Sequence, residues 1–126
     1  MIPDGLKYTA THQWLRAGAD GTATVGITHY AQEQLGDVVY VQPPAIGRTV
    51  QRGEHCAVVE SVKAASDIPA PVAGEIVGAN QAVADAPERV NQDPYGAWLF
   101  RIRPEDPTEL ASLLEAAAYR KLIAAS

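Results

Sequence analysis

The 126-residue sequence predicts a mainly β fold, a sandwich or small barrel, with a short helix near residues 29–35 and a helix at the C-terminal end. Short β-prone segments recur along the chain with turn residues between them. A helix-sized segment follows a capping threonine, and a longer helical pattern covers about residues 107–123. The length fits one domain, 1–126, large enough to hold its core without disulfides or metals.

Five segments are rich in β-branched or aromatic residues and are bounded by turn residues, as strands usually are. They cover residues 22–27, 38–41, 56–62, 74–78 and 98–103. Residues 47–53 form a short turn-rich piece around Val50, and residues 80–91 are expected to be partly helical. Many short strands at this spacing indicate a sandwich or a small barrel.

Both predicted helices have start signals. Thr28 can cap a helix over residues 29–35, and Gly36 is placed to end it. At the C-terminal end, Asp106 occupies an N-cap position and is followed by Pro107 and Glu109. A 3.6-residue repeat then places five apolar residues on one helix face, which we expect to cover the β core: Leu110, Leu113, Leu114, Ala117 and Leu122.

Composition excludes several classes of function. The net charge of −5 and the pI near 5.0 argue against nucleic acid and anionic membranes as partners. No segment approaches the roughly 20 apolar residues of a membrane helix, and the N-terminus lacks the pattern of a signal peptide. We therefore expect a bacterial-type cytoplasmic location. Cys56, the single cysteine, is expected to be a core residue, and its spacing from the histidines fits no zinc motif.

Lysine is scarce in this chain, at positions 7, 63 and 121 only. Lys63 follows one β-type segment, precedes another, and is succeeded by Pro69 and Pro71. The turn lacks the Asn-Gly or Asp-Gly pair of a two-residue hairpin. Local pattern alone therefore favours an ordinary solvated lysine on a loop.

Glu60-Ser61-Val62-Lys63-Ala64 resembles the lipoyl-attachment site of the H-protein family of the glycine cleavage system. Further segments resemble the family in the same order along the chain: residues 6–9, 12–14, 25–28, 31–32, 35–37, 66–68 and 91–96. The resemblance covers nearly the whole chain. It implies a barrel-sandwich hybrid of the lipoyl hammerhead type, with lipoate attached covalently to Lys63 and recognition residues around it: Glu60, Ser61, Val62, Ala64 and Asp67.

The resemblance also implies a carrier and not an enzyme. Such a carrier takes the aminomethyl group of glycine from a pyridoxal-phosphate glycine decarboxylase to a tetrahydrofolate-dependent aminomethyltransferase. Its electrons pass to an FAD-containing dihydrolipoyl dehydrogenase, after a lipoyl or octanoyl transferase has modified the lysine. Two alternatives remain open: an H-like protein that relays lipoyl groups, and an interaction scaffold that is never lipoylated.

In this family the loaded arm can fold back into a cleft of its own carrier. The resemblance assigns that cleft to His12, Gln13, Trp14 and His29. Two acidic residues of the family pattern are replaced here, by Gln13 and His29. An amide offers only a neutral carbonyl oxygen to a cationic amine, so we expect weaker shielding of the arm.

Overall fold

The computed structural model describes residues 2–125 as two antiparallel sheets with short helices at their margins. The larger sheet has the order β1-β2-β3-β9-β8-β5 and the smaller has the order β4-β6-β7, so neither closes on itself. The strands are β1 (Lys7–Tyr8), β2 (Gln13–Ala17), β3 (Ala23–Ile27), β4 (Val38–Gln42), β5 (Thr49–Val50), β6 (His55–Ser61), β7 (Ala65–Pro69), β8 (Gly74–Ala79) and β9 (Phe100–Pro104). The predicted mainly β class is confirmed.

The main core lies between the two sheets. Val25, Ile76 and Phe100 enter it from the larger sheet, and Val41 and Val59 from the smaller. Successive side chains point to opposite sides of a strand, so every second residue enters the core while its neighbours point away from it. The small sheet keeps only one face in the core. Its outer face remains exposed and leads directly to the tip that joins β6 to β7.

Helix α1 (His29–Leu35) forms where the sequence predicts it. The Thr28 hydroxyl accepts a hydrogen bond from the Ala31 N–H at 3.2 Å, which satisfies a donor left free by the first turn. Gly36 ends the helix with φ +82° and ψ −158°, a conformation open essentially to glycine. The partly helical stretch predicted at residues 80–91 contains α2 (Gln81–Asp85) and the start of α3 (Arg89–Gln92).

A C-terminal helix is present, but the prediction of one continuous helix over about residues 107–123 is wrong. The chain forms α4 (Thr108–Ala111) and α5 (Ala116–Ala124) instead. Between them Leu114 pairs with Tyr8, exchanging backbone hydrogen bonds of 2.7 and 2.9 Å. That pairing requires an extended residue at Leu114, so the helix cannot continue through it.

The predicted apolar stripe is divided by the same break. Leu110 and Leu113 pack on the main core, whereas Leu114 and Leu122 join a second cluster. Ala117 is exposed. The second cluster is built around Tyr8, Trp14 and Tyr119, all fully buried, and the rings of Tyr8 and Tyr119 stack with centroids 4.8 Å apart. It fastens α5 to the outside of the larger sheet.

Candidate functional site

Lys63 lies at the tip of the β6–β7 hairpin. The strands pair up to Glu60 and Ala65, so the connection is short. The Ser61 N–H donates to the Ala64 carbonyl at 2.7 Å, and the Ser61 hydroxyl oxygen lies 3.3 Å from the Lys63 N–H and 3.1 Å from the Ala64 N–H. A serine side chain that satisfies local N–H groups can stabilise a turn lacking Asn-Gly. This is how the tip forms without the usual hairpin signal.

The turn after α1 supports the tip from one side. The Val62 N–H donates to the Asp37 carbonyl oxygen at 3.0 Å, and Val38 pairs with Ser61. The Lys63 stem crosses Gly36, where an added Cβ would lie 3.3 Å from the lysine Cε. Among residues 2–125 no acidic side chain forms an ion pair with Lys63, and the residue is exposed. The backbone is thus held while the amine stays accessible.

Exposed acidic and apolar side chains lie on the lysine-bearing hairpin. Glu60 pairs across the sheet with Tyr40 and with Ala65, and Asp67 pairs with Val58. Glu60 and Asp67 are exposed, as is Val62, whose exposed fraction is 70%. Of the predicted recognition residues, Glu60, Ser61, Val62 and Ala64 lie at or next to the tip, whereas Asp67 lies farther down β7, opposite Val58. Asp67 Oδ2 also lies 3.6 Å from His55 Nδ1, a weak pair in solvent.

The other lysines occupy different settings. Lys7 lies on β1, and its ammonium is 3.4 Å from the carboxylate of Glu115. Lys121 lies in the last turn of α5. Neither is presented at a hairpin tip, which distinguishes Lys63 structurally from both.

A groove of about 330 Å³ runs beside the hairpin. Ser66 and Ile68 of β7 form one wall, and Tyr30, Ala31 and Leu35 of α1 form the other. Ser66 is three residues after Lys63, roughly 10 Å along an extended chain. The sequence resemblance did not assign these wall residues to the cleft. The apolar side of the α1 segment could have indicated one wall, but only the fold shows that β7 lies opposite α1.

His12 also lines the groove and is held by a partly buried chain of hydrogen bonds. Its Nδ1 lies 2.8 Å from Tyr119 Oη, which lies 2.8 Å from the hydroxyl of Thr28. The His12 ring contacts the Tyr30 ring, with centroids 4.6 Å apart. Burial lowers the pKa of His12 below its ordinary value of 6.5, so the neutral imidazole is the form present at neutral pH.

Gln13 and Trp14 are structural in this fold. Gln13 is buried; its Oε1 accepts hydrogen bonds from the hydroxyls of Thr9 and Thr11 at 2.7 and 2.9 Å, while its Nε2 donates to the Pro69 carbonyl. Trp14 is fully buried and donates from Nε1 to the Pro94 carbonyl at 3.0 Å. Both side chains therefore have their hydrogen-bonding groups occupied by the protein itself.

His29 begins α1 but directs its ring along the helix surface. Its Nδ1 lies 3.1 Å from Gln32 Nε2, and its Nε2 lies 3.5 Å from the Glu33 carboxylate. The structure thus brings His12 to the groove and leaves Trp14 in the second cluster. Gln13 lines a neighbouring groove with Arg52 and Pro69.

Metal-binding clusters, a reactive cysteine and membrane-spanning helices were the other features considered among the described residues. Within residues 2–125 no group of three or more His, Cys, Asp and Glu side chains is arranged to hold a metal ion. Burial raises the pKa of the Cys56 thiol to about 11, which leaves it as the unreactive thiol at neutral pH. In the same part of the chain, no helix has the length and apolar character required to cross a membrane.

Comparison with known proteins shows the family of the chain. The family model described as glycine cleavage H-protein matches residues 6–126. The chain belongs to the glycine cleavage H-protein family. Its members carry lipoate and serve as carrier components of the glycine cleavage system, and the chain is accordingly not an enzyme itself.

Individual relatives match over almost their full length. The chain is 61% identical to the glycine cleavage system H protein of Thiobacillus denitrificans, covering 97% of this chain and 95% of that protein. It is 60% identical to that of Methylococcus capsulatus, covering 96% and 95%. A crystal structure of the H protein from Mycobacterium marinum superposes with a TM-score of 0.88 at 44% identity, covering 98% of this chain and 99% of that one.

Proposed function

We propose that Lys63 is the lipoyl attachment site and that the chain carries the aminomethyl group of glycine between the enzymes of the glycine cleavage system. One observation carries the proposal: Lys63 is exposed on a short hairpin tip whose backbone is tied to Ser61 and Asp37. A shuttle needs a mobile arm on a fixed base, because only the arm should move between active sites.

The residues at the tip fit a lipoyl amide. The amine is accessible for acylation, and the lysine stem has a clear path over Gly36. Attachment removes the ammonium charge, so the formal net charge changes from −5 to −6. When bound, lipoate supplies a disulfide ring that opens to two thiols. The residues of this chain present that group; none of them is assigned a catalytic step.

Four enzymes would act on the tip. They are the pyridoxal-phosphate glycine decarboxylase, the tetrahydrofolate-dependent aminomethyltransferase, the FAD-containing dihydrolipoyl dehydrogenase, and the lipoyl or octanoyl transferase that loads Lys63. Glu60 and Asp67 offer negative charge to them, and Val62 offers apolar surface. Charges of this kind orient a partner during encounter more than they add affinity. The bacterial relatives are consistent with a bacterial cytoplasm as the compartment.

We assign the docking of the loaded arm to the groove between α1 and β7. Its apolar wall of Tyr30, Ala31 and Leu35 can cover the hydrocarbon part of the arm, and Ser66 places its entrance near Lys63. Gln13 cannot receive the amine without giving up its bonds to Thr9 and Thr11. Shielding in this chain therefore depends on burial beside His12 and not on a carboxylate.

Glycine–bicarbonate exchange with a glycine decarboxylase tests the carrier role. Lipoylated wild-type protein should support exchange, Lys63→Arg should abolish it, and Lys121→Arg, treated identically, should retain it. If lipoylated wild-type protein supports no exchange but donates its lipoyl group to other enzymes, the relay alternative replaces this proposal. If no lipoyl group is attached at all, the scaffold alternative replaces it.

A further inference from the structure

The segment 91–96 lies far from Lys63 in sequence, yet it contacts both ends of α1. At the start of the helix, the Tyr95 hydroxyl accepts a hydrogen bond from the His29 N–H at 3.2 Å. At the end of the helix, both the oxygen and the nitrogen of the Asn91 side-chain amide, on α3, form hydrogen bonds. Oδ1 accepts from the Val38 N–H at 2.8 Å, and Nδ2 donates to the Gly36 carbonyl at 2.9 Å and to Gln32 Oε1 at 3.0 Å.

These bonds hold the turn that supports the tip. Asn91 fixes the carbonyl of Gly36 and the N–H of Val38, the two neighbours of Asp37. The Asp37 carbonyl between them accepts the hydrogen bond from Val62. Gly36 is also the residue that the Lys63 stem crosses. Asn91 is therefore linked to the lysine-bearing tip through one turn of backbone. Its described side-chain hydrogen bonds go to Gln32, Gly36 and Val38, and not to Lys63 or to the residues that line the groove.

We propose that Asn91 is a positioning residue for Lys63, acting through the turn at residues 36–38. An amide whose donors and acceptor are all satisfied holds two backbone segments in one geometry. Without it, the turn can leave that geometry and the Val62 bond to Asp37 opens more often. A partner enzyme binds only the competent tip, so its apparent affinity falls in proportion to the competent fraction.

The inference takes the proposed function as given in one respect, that Lys63 is the residue modified. A purely structural role for Asn91 would lower stability without changing the tip. Asn80 supplies the matched control, because its Nδ2 donates to the Trp98 carbonyl at 2.8 Å in a partly buried setting, and its described hydrogen bonds go to Trp98, Leu99 and Ala84 and not to the 36–38 turn. Loss of either amide should affect stability, whereas only the loss of Asn91 should affect Val62.

The test is amide hydrogen exchange at Val62, measured by NMR on wild type, Asn91→Ala and Asn80→Ala under conditions where each is fully folded. We expect exchange at Val62 to rise about tenfold in Asn91→Ala and to stay near the wild-type value in Asn80→Ala. Asn91→Asp, which keeps the acceptor for Val38 but loses both donors, should lie between them. It also keeps the test available if Asn91→Ala does not fold.

Enzymatic lipoyl attachment to the same apo-proteins provides the functional measurement. The KM for the carrier should rise several-fold in Asn91→Ala with kcat unchanged, and neither should change in Asn80→Ala. Equal exchange at Val62 in the two alanine variants would overturn the proposal, and so would faster exchange with an unchanged KM. A wild-type protein that is never modified at Lys63 would instead refute the proposed function, while exchange at Val62 would still decide whether Asn91 holds the tip.

Discussion

The backbone N–H of Val62 donates to the carbonyl oxygen of Asp37 at 3.0 Å and joins the lysine-bearing tip to the turn that ends α1. Through this bond the hairpin is braced by a helix outside its own sheet. The same helix forms one wall of the groove beside β7. The proposed attachment site and the groove proposed for arm docking therefore share one support, so changes in the 36–38 turn should affect both.

Gly36→Ala should weaken this support. A residue with a side chain is strained at φ +82°, and the added Cβ would lie 3.3 Å from the Lys63 Cε. We expect the free energy of unfolding to fall by about 1–3 kcal/mol and lipoyl attachment to slow. Gly47→Ala is the matched control, because Gly47 has φ +93° but open space around its Cβ position. Denaturant unfolding and attachment kinetics check both variants; equal attachment rates would contradict the role given to Gly36.

Gln13→Glu should destabilise the protein instead of restoring an arm-binding carboxylate. The amide Nε2 donates to the Pro69 carbonyl, and a carboxylate would place a negative oxygen against it. We expect a loss of about 1–3 kcal/mol at neutral pH. Burial and this repulsion raise the pKa of the new carboxyl in the folded state, so the loss should shrink as pH falls and the acid is protonated.

Hydrolysis of the aminomethyl-loaded carrier tests whether Gln13→Glu supplies a carboxylate to the docked arm. If Gln13 remains committed to Thr9, Thr11 and Pro69, the hydrolysis rates of wild type and a folded Gln13→Glu variant should be the same. Slower hydrolysis in Gln13→Glu would show that the position faces the docked arm, contrary to the geometry described above.

His12 should make stability depend on pH. Burial lowers its pKa in the folded protein, so the unfolded chain binds a proton more readily. The stabilisation should therefore be present above pH 6.5, the ordinary pKa of histidine, which applies to the unfolded chain. It should be lost as pH falls from there toward the lower pKa of the folded protein. Unfolding free energies at pH 7.5 and 5.5 should differ more for wild type than for His12→Asn. Asparagine suits the comparison because it tolerates the φ of +67° at this position. The same pH difference in both proteins would exclude His12 as the source.

Local sequence pattern predicted the elements whose signals are local. Thr28 and Gly36 bound α1 as expected, and the β-type segments beside Lys63 form the two strands of the hairpin. The prediction of a continuous C-terminal helix was wrong because Leu114 pairs with Tyr8, 106 positions away. Such a long-range backbone pairing overrides helix propensity. The family and its carrier role could be predicted from the ordered resemblance, whereas the scarcity of lysine alone indicated no role for Lys63.

The residues that line the groove proposed for arm docking come from distant parts of the sequence. His12 lines it, but Gln13 is bound to Pro69, 56 residues away, and that contact has no local signal. The walls come from α1 and β7, which become neighbours only when the two sheets pack. Asn91 escaped assignment for the same reason, because its partners lie 53 to 59 residues earlier in the chain.

Attachment at Lys63 is tested most directly by intact-mass measurement of the protein produced in a lipoate-competent host. We expect wild type and Lys121→Ala to show a mass increase of one lipoyl group, and Lys63→Ala to show none. Fragmentation should place the added mass on the peptide that contains residues 60–64. A lipoyl mass increase that persists in Lys63→Ala, or that is absent from the wild-type protein, would contradict the assignment.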